Sequence, residues 1–360
     1  MLIESDDPIV RQCLERIAEN VLANGGEIHP NLCIHHEGPR LWISCPRAFD
    51  GETLLRIPDA LFIPVSQLQW HDQQGVLSYT GDVALLSQVQ RNMLDAMVQL
   101  YNATDKIQRI ASCFPDALLR DDPALLALVQ QARPKTELST KNLAEQFICT
   151  RLSSQNNEDS EEARDYLMPL IDMLNHHPFA PKYQRNPAKD WVIAVQHPVD
   201  GSEECFVRYQ KGDSFANALW HGYFENAPPY LSSVHCELTD AIVGKVVVHG
   251  VHYERRKLNA PLVQRRDDGL DLYSIILDPD TLPALRTFLG LALRSKDRSL
   301  SQAQAEQHAD GLINQIITAN RDYFQKLQAF GSEAPASLPL RTLLAEVATH
   351  QLAVLDGLRR

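Results

Sequence analysis

Between residues 31 and 65, short apolar runs alternate with turn-forming residues, as in NLCIHHEG, LWISCPRAFDG and ETLLRIPDALFIP, and this spacing predicts strands. Asp50-Gly51 reads as a hairpin-type turn inside that β-rich opening. From about Val83 to Val129 the period lengthens. Leu86, Val89, Met93, Met97 and Leu100 recur on one helical face, a stripe that predicts core packing. Residues 153–165, SSQNNEDSEEARD, have no apolar period and predict an exposed loop. WVIAV at 191–195 and CFVRY at 205–209 suit short strands, separated by turn-forming Pro198, Asp200 and Gly201. Beyond Pro228-Pro229 the stripes are helical: Ile313, Ile316, Ile317 and Leu327 in one segment, Leu344, Val347, Ala348 and Leu355 in another. The pattern predicts a boundary near Pro228 and a mainly helical last third.

Composition narrows the class. A chain of 360 residues is too long for one small core, so two domains, or one with a large insertion, are expected. With 44% hydrophobic and 22% charged residues it falls among globular proteins and outside the disordered class. A formal net charge of −12, with no basic run carrying interleaved aromatics, argues against nucleic acid as a partner. The acidic excess reads mainly as solvated surface, and it leaves a basic protein or peptide partner open. The first residues, MLIESDD, have neither a basic stretch nor an apolar core, and no later apolar run is long enough to span a bilayer. A cytoplasmic location without membrane contact is therefore expected. The seven cysteines, at 13, 33, 45, 113, 149, 205 and 236, are odd in number and include no C-x-x-C pair. That argues against a disulfide framework and a structural zinc site, and for reduced, mostly buried thiols.

One segment, LMPLIDMLNHHP at 167–178, poses a chemical question. Its apolar run ends in Asn175, His176 and His177, side chains that cost free energy to bury unless hydrogen-bonded. A buried strand or short helix running out into a loop is one reading, and a polar site is the other. Asp172, His176 and His177 also suggest a metal cluster. Neighbouring histidines on an extended segment point to opposite faces, however, and no third ligand has convincing spacing, so no metal is expected there.

Three segments lie in a suggestive order: ANGGEIHPNLCIHHEGPRLWISCPRAFDGETLLRIPDALFIP at 23–64, LMPLIDMLNHHP, and GSEECFVRYQKGDSFANALWHGYFENA at 201–227. Together they resemble the SET-domain protein methyltransferases, in the branch of the Rubisco large-subunit lysine methyltransferase. The specific motifs are P-L-x-D-M-x-N-H and E-E-x-F-x-x-Y. The resemblance implies an α+β fold in which a β-rich SET domain with a pseudoknot-like crossing occupies 1–227. A helical insertion at about 80–150 splits it, and a mainly helical substrate-binding domain follows at 228–360. It also implies S-adenosylmethionine as the cofactor, gripped by Asn175 and His176. By the same resemblance Glu37, Gly38 and Pro39 begin the cofactor loop, usually written G-x-G. Here Gly38-Pro39-Arg40 lacks the second glycine, which removes φ freedom, and Pro39 removes one N–H donor. Arg151 matches an arginine lining the cofactor and substrate sites, although a single arginine after a helix equally suits a surface. Asp172, His221 and Tyr223 match positions near the substrate-lysine channel, where the family usually has Y-G-F rather than His221-Gly222-Tyr223.

Tyr209 falls on the family's catalytic tyrosine, while on its own a strand-terminal tyrosine is a half-buried packing residue. The implied activity is direct in-line methyl transfer to the amine of a protein lysine, whose identity is not legible. Such a displacement depends mainly on orientation and desolvation. A lysine with a reference pKa of about 10.4 has to lose its proton first, and burial beside a cationic sulfonium favours that loss. No metal is required. Protein histidine N-methylation, suggested by His221, and a SET-like binding module without turnover, suggested by the altered loop, are the alternatives.

Overall fold

Strand Leu2–Ser5 runs into helix Pro8–Ala23, which starts where the Asp7 carboxylate accepts from the backbone N–H groups of Ile9 and Val10. The helix buries Val10, Leu14, Ile17 and Val21, one stripe at helical spacing. The computed structural model to which these elements belong describes residues 1–38, 40–111, 113–156, 163–196, 203–209, 212–224, 226–250, 261–332 and 339–358. The fold is mixed α+β, with several small sheets and a helical C-terminal region. Two compact units divide the chain, Met1–Ser112 with Thr140–Lys211, and Cys113–Ser139 with Gly212–Arg360.

In the first unit, strands Leu2–Ser5, Cys33–Glu37 and Arg40–Ser44 form one sheet, parallel at the first pair and antiparallel at the second. Strand Thr53–Ile57 pairs with Trp191–Ala194 on one side and Glu27–Ile28 on the other. It does not pair with Arg40–Ser44, so Asp50-Gly51 is not the hairpin turn that its sequence suggested. Leu54, Leu55 and Ile57 are all buried, which favours a central place between two partners over a local hairpin. Gly51 instead takes φ +93° and donates its N–H to the Val195 carbonyl. Helix Gln88–Ala103 opens with a reciprocal capping box between Ser87 and Gln90. Leu86, Met93, Met97 and Leu100 are buried and Val89 packs at the margin, so the stripe is core.

The polar stretch expected as a loop contains two paired strands. Leu152–Asn156 and Ala163–Leu167 form an antiparallel ladder, extended by Ile63–Pro64. A ladder is made by backbone groups and needs no apolar alternation at its outer end. Residues 157–162 of that stretch, and Pro198, Asp200 and Gly201, lie outside the described residues. CFVRY contributes a shorter strand than expected, Phe206–Val207.

The second compact unit takes in residues from both sides of the expected boundary near Pro228. Helices Pro115–Asp121 and Pro123–Ala132, expected inside one insertion at 80–150, bury Leu119, Leu125, Leu128 and Val129 in the second core. Helices Gln88–Ala103 and Lys106–Ala111 stay with the first unit. The region after Pro228 is mainly helical, as expected, and also carries a four-stranded sheet. Strands Cys236–Asp240, Gly244–His249, Gly269–Tyr273 and Leu262–Arg265 pair in that order, with Val246, Val247 and Val248 all buried. A β-branched run covered on both faces lacks the alternation that marks a half-buried strand. Helices Leu282–Lys296, Gln302–Ser332 and Pro339–Gly357 follow, with the expected stripes buried. Arg341 on the last helix holds both oxygens of Asp122, at 2.5 and 2.9 Å, and this pairing pulls the Asp122 carboxyl below its ordinary range.

This division sets an expectation for truncation. A chain ending at Ala227 retains Leu125, Val129 and Ala132 but loses the strands and long helices that cover them. It should be poorly soluble or bind a hydrophobic dye, whereas the full chain unfolds cooperatively. A soluble, cooperatively melting truncation would show that these helices find cover elsewhere.

Candidate functional site

The LMPLIDMLNHHP segment opens with backbone strain. Leu170 has φ +63° and ψ −38°, and Ile171 N–H donates across it to the Pro169 carbonyl at 2.8 Å, closing a γ-turn with a positive central φ. Such a conformation costs a bulky residue free energy, of order 1–3 kcal/mol, and persists where its surroundings over-determine it. Leu170 itself is buried. A short 3₁₀ turn, Ile171–Met173, then delivers strand Asn175–His176, which runs parallel to Phe206–Val207. Asn175 pairs with Phe206 and His176 with Val207, and the His177 N–H donates to the Val207 carbonyl.

This pairing brings the two motifs into contact at Tyr209. Its backbone N–H donates to His176 Nδ1 at 3.0 Å, and its hydroxyl donates to the Leu174 carbonyl at 2.5 Å. With Nδ1 accepting, a neutral His176 carries its proton on Nε2. The two rings lie 5.2 Å apart. Tyr209 also packs against the first core, so it is both a packing residue and one with a fixed hydroxyl. Burial pushes its phenol up, and it lies close enough to Arg151 and Asp172 to feel both charges.

Asp172 is a buried carboxylate, with its side chain 0% exposed. The Tyr101 hydroxyl donates to its Oδ2 in a very short hydrogen bond, and Arg151 Nη1 lies 3.7 Å from the same oxygen. Burial raises the Asp172 pKa and the neighbouring Arg151 opposes that rise. Tyr101 is pushed well up, first by burial and then by the Asp172 charge. Arg151 is half-buried rather than exposed, with its side chain 13% accessible. Its guanidinium lies 4.5 Å from the Phe147 ring centroid and 5.2 Å from that of Tyr101. Asp172 Oδ1 and Arg151 Nε are buried and have no hydrogen-bond partner among the described residues.

Asn175 donates from Nδ2 to Glu204 Oε1 at 2.5 Å, while Arg40 donates from Nη2 to Glu204 Oε2 at 2.6 Å. Glu204 is thus a nearly buried acceptor for two side chains from distant segments, and an antiparallel bridge to Ser44 fixes its backbone. Neither Glu204 nor Arg40 was singled out from sequence. The available signal was the place of Glu204 as the second glutamate of the E-E-x-F-x-x-Y motif, for which no role was read. Glu37 and Gly38 sit exposed at the end of the Cys33–Glu37 and Arg40–Ser44 hairpin, where Gly38 takes φ +54°. Among the described residues no hydrogen bond links them to Asn175 or His176, and Pro39 lies outside the described residues. Arg40 is the residue of this hairpin that reaches the cluster.

His221 and Tyr223 belong to the second unit. Helix Ser214–His221 is capped by Asp213, whose carboxylate accepts from the Ala216 and Ser232 N–H groups. The helix ends at Gly222, φ +70°, where a Cβ would meet the Cys113 carbonyl oxygen at 2.3 Å. The His221 and Tyr223 rings stack on either side of that glycine, 5.8 Å apart.

No protein-family model and no curated protein matches this chain. Among solved structures it is similar to the SET domain of LSMT bound to lysine and AdoHcy, with 11% identity, 98% of this chain and 91% of that chain covered, and a TM-score of 0.44. It is also similar to Rubisco LSMT bound to AdoMet, at 12% identity, 98% and 91% coverage and a TM-score of 0.42. A third similarity is to Rubisco LSMT bound to sinefungin and monomethyllysine, at 12% identity, 98% and 90% coverage and a TM-score of 0.43. Among the described residues, no helix is long and apolar enough to cross a membrane.

Proposed function

We propose that this chain is an S-adenosylmethionine-dependent protein methyltransferase of the SET type, acting on a lysine amine. The observation that carries the reading is the junction at Tyr209, where residues of the two motifs that resemble that family meet through two hydrogen bonds, from the Tyr209 N–H to His176 and from its hydroxyl to Leu174. Polar residues at the end of an apolar run thereby have partners, as the chemistry of burial requires.

S-adenosylmethionine, when bound, supplies an electrophilic methyl group on a sulfonium. The residues present suit such a cationic amino-acid ligand. Arg40 is 62% exposed at its side chain and suits a carboxylate, while Asp172 Oδ1 is an unsatisfied buried acceptor suited to a cation or an ammonium N–H. Asn175 and His176 line the strand beside them. Tyr209 would orient the acceptor amine through its hydroxyl, which the bond to the Leu174 carbonyl holds in place. Burial around Tyr209 and Asp172 favours the neutral amine and excludes water from the transfer path.

Incubating a cell extract with labelled S-adenosylmethionine and the full chain, followed by mass spectrometry of the modified residue, tests the reading and separates lysine from histidine. Absence of label on any protein would leave the binding-module alternative. A second test addresses placement. S-adenosylmethionine at roughly 100 times its dissociation constant should add about 2.7 kcal/mol to stability, seen as a melting shift of several degrees. Asn175→Ala should shrink that shift, because it removes the amide and with it one of the two donors that fix Glu204. Unchanged cofactor affinity in Asn175→Ala would remove the segment from the cofactor site.

A further inference from the structure

The sheet of Leu2–Ser5, Cys33–Glu37 and Arg40–Ser44 turns Ile34 and Ile43 into the first core. Its other face carries chemistry that the proposed methyl transfer does not use. Glu4 stands beside His35 in the parallel register, and Cys33 precedes His35 by two residues, so the pleat sets all three on one face. Their ligand atoms lie within 4.8 Å of one another. His35 Nδ1 is 2.8 Å from Glu4 Oε2 and 3.9 Å from Cys33 Sγ. On the opposite side of the ring, Nε2 lies 2.7 Å from Ser44 Oγ, and the ring stacks on Trp42 with centroids 3.8 Å apart. Glu4 only accepts, so without an ion Nδ1–H donates to it and the Ser44 hydroxyl donates to Nε2. With an ion bound, the ring proton would sit on Nε2 and be donated to Ser44, freeing the Nδ1 lone pair between the thiol and the carboxylate, the support that metal-bound histidines commonly have.

His29 shows that this convergence is specific. There, too, a cysteine and a glutamate flank a histidine, but Cys45 lies 3.1 Å from Nδ1 and Glu52 lies 3.2 Å from Nε2. A single ion cannot take ligands from opposite ends of the ring. At His35 both partners face the same nitrogen.

We propose that Glu4, Cys33 and His35 form a three-ligand site for a zinc-class divalent ion, with a fourth position open to water. Tetrahedral zinc bonds of about 2.0–2.3 Å separate neighbouring donors by roughly 3.3–3.6 Å, so the two separations at Nδ1 need to change by about half an ångström and the one between Glu4 and Cys33, within 4.8 Å, by about 1 Å at most. The Glu4 side chain, 56% exposed, is able to swing by that amount. Binding replaces the thiol proton, which leaves to solvent, and forms a sulfur–metal bond, with no change of oxidation state. The ion would clip the edge strand Leu2–Ser5 to the strand beside it. Glu4 is separated from His35 by 31 residues, which is why the sequence held no metal signature.

Chelator-treated full-length protein, titrated with Co2+ and then Zn2+, tests the site without any assay of methyl transfer. The expected result is saturation at one equivalent, with a sulfur-to-cobalt charge-transfer band that zinc displaces and a zinc-dependent rise in melting temperature. Cys33→Ser should abolish the band, and Glu4→Gln, at an exposed position that folding tolerates, should abolish saturation at one equivalent. Ser44→Ala should weaken affinity on the order of ten- to a hundredfold through the lost ring support. Cys149→Ser, at an exposed thiol elsewhere, should change nothing. The site is overturned if no charge-transfer band forms, or if metal uptake and the thermal shift are the same in Glu4→Gln and Cys33→Ser as in the parent.

Discussion

Tyr209→Phe should lower single-turnover methylation on the order of a hundredfold while leaving the fold and cofactor affinity nearly intact. The substitution removes one oxygen and keeps the ring that packs on the first core and beside His176. The backbone N–H bond to His176 survives, because it does not involve the side chain. Only the hydroxyl bond to Leu174 is lost, which costs about 1 kcal/mol of stability for an ordinary hydrogen bond. Turnover is more sensitive, since misplacing reacting atoms by about 1 Å costs on the order of a hundredfold. Melting temperature, S-adenosylmethionine affinity and single-turnover rate measured on both proteins decide the matter. A mutant that loses stability but transfers methyl at the parental rate would make Tyr209 a packing residue only.

Arg151→Leu should be the most destabilising single change in the first unit's site. Removing one partner of a buried ion pair leaves the other charge uncompensated and costs about 3–5 kcal/mol. Asp172 is fully buried, and the arginine also covers the Phe147 and Tyr101 rings. The pH dependence has a definite sign. The folded-state pKa of Asp172 is raised by burial, so its contribution to stability is present below the ordinary carboxylate pKa and is lost as pH rises through the folded value. Without Arg151 to oppose burial, that value rises further. The stability gap between parent and Arg151→Leu should therefore narrow on acidification, as Asp172 takes a proton and no longer needs a counter-ion. Urea unfolding of both proteins across the acidic range measures it, and a gap independent of pH would show that lost packing, not charge, accounts for the cost.

Sequence reasoning succeeded where periodicity or a local motif carried the information. The stripe from Leu86 to Leu100 and the two C-terminal stripes are helices with those faces buried. Two short motifs contain most of Asn175, His176, Tyr209, Asp172 and Arg151, and the substitutions above test the roles of Asn175, Tyr209 and Arg151. What escaped was non-local. The pairing of Thr53–Ile57 with Trp191–Ala194 joins segments over 130 residues apart, and no local turn signal reports such a partner. Val246–Val248 is apolar without alternation, so it reads as neither a half-buried strand nor a helix stripe. Glu204 and Arg40 entered the site through a carboxylate shared across 164 residues, a spacing that no motif encodes. The membership of Pro115–Ala132 in the second core rests on contacts with strands and helices that follow it by a hundred residues or more.

That last arrangement orders events during synthesis. Residues 113–139 leave the ribosome between the two halves of the first unit, yet the helix carrying Leu344, Val347 and Leu355, which shares their core, is made last. At about 5–20 residues per second, the interval between Ala132 and Leu355 is roughly 10–45 s. Throughout it Leu125, Val129 and Ala132 have no final cover, a window in which chaperone capture or aggregation competes with folding. The rest of the first unit, including its strand Trp191–Ala194, is made within that interval, so the chain can complete that unit while the early segment of the second still waits for its partners.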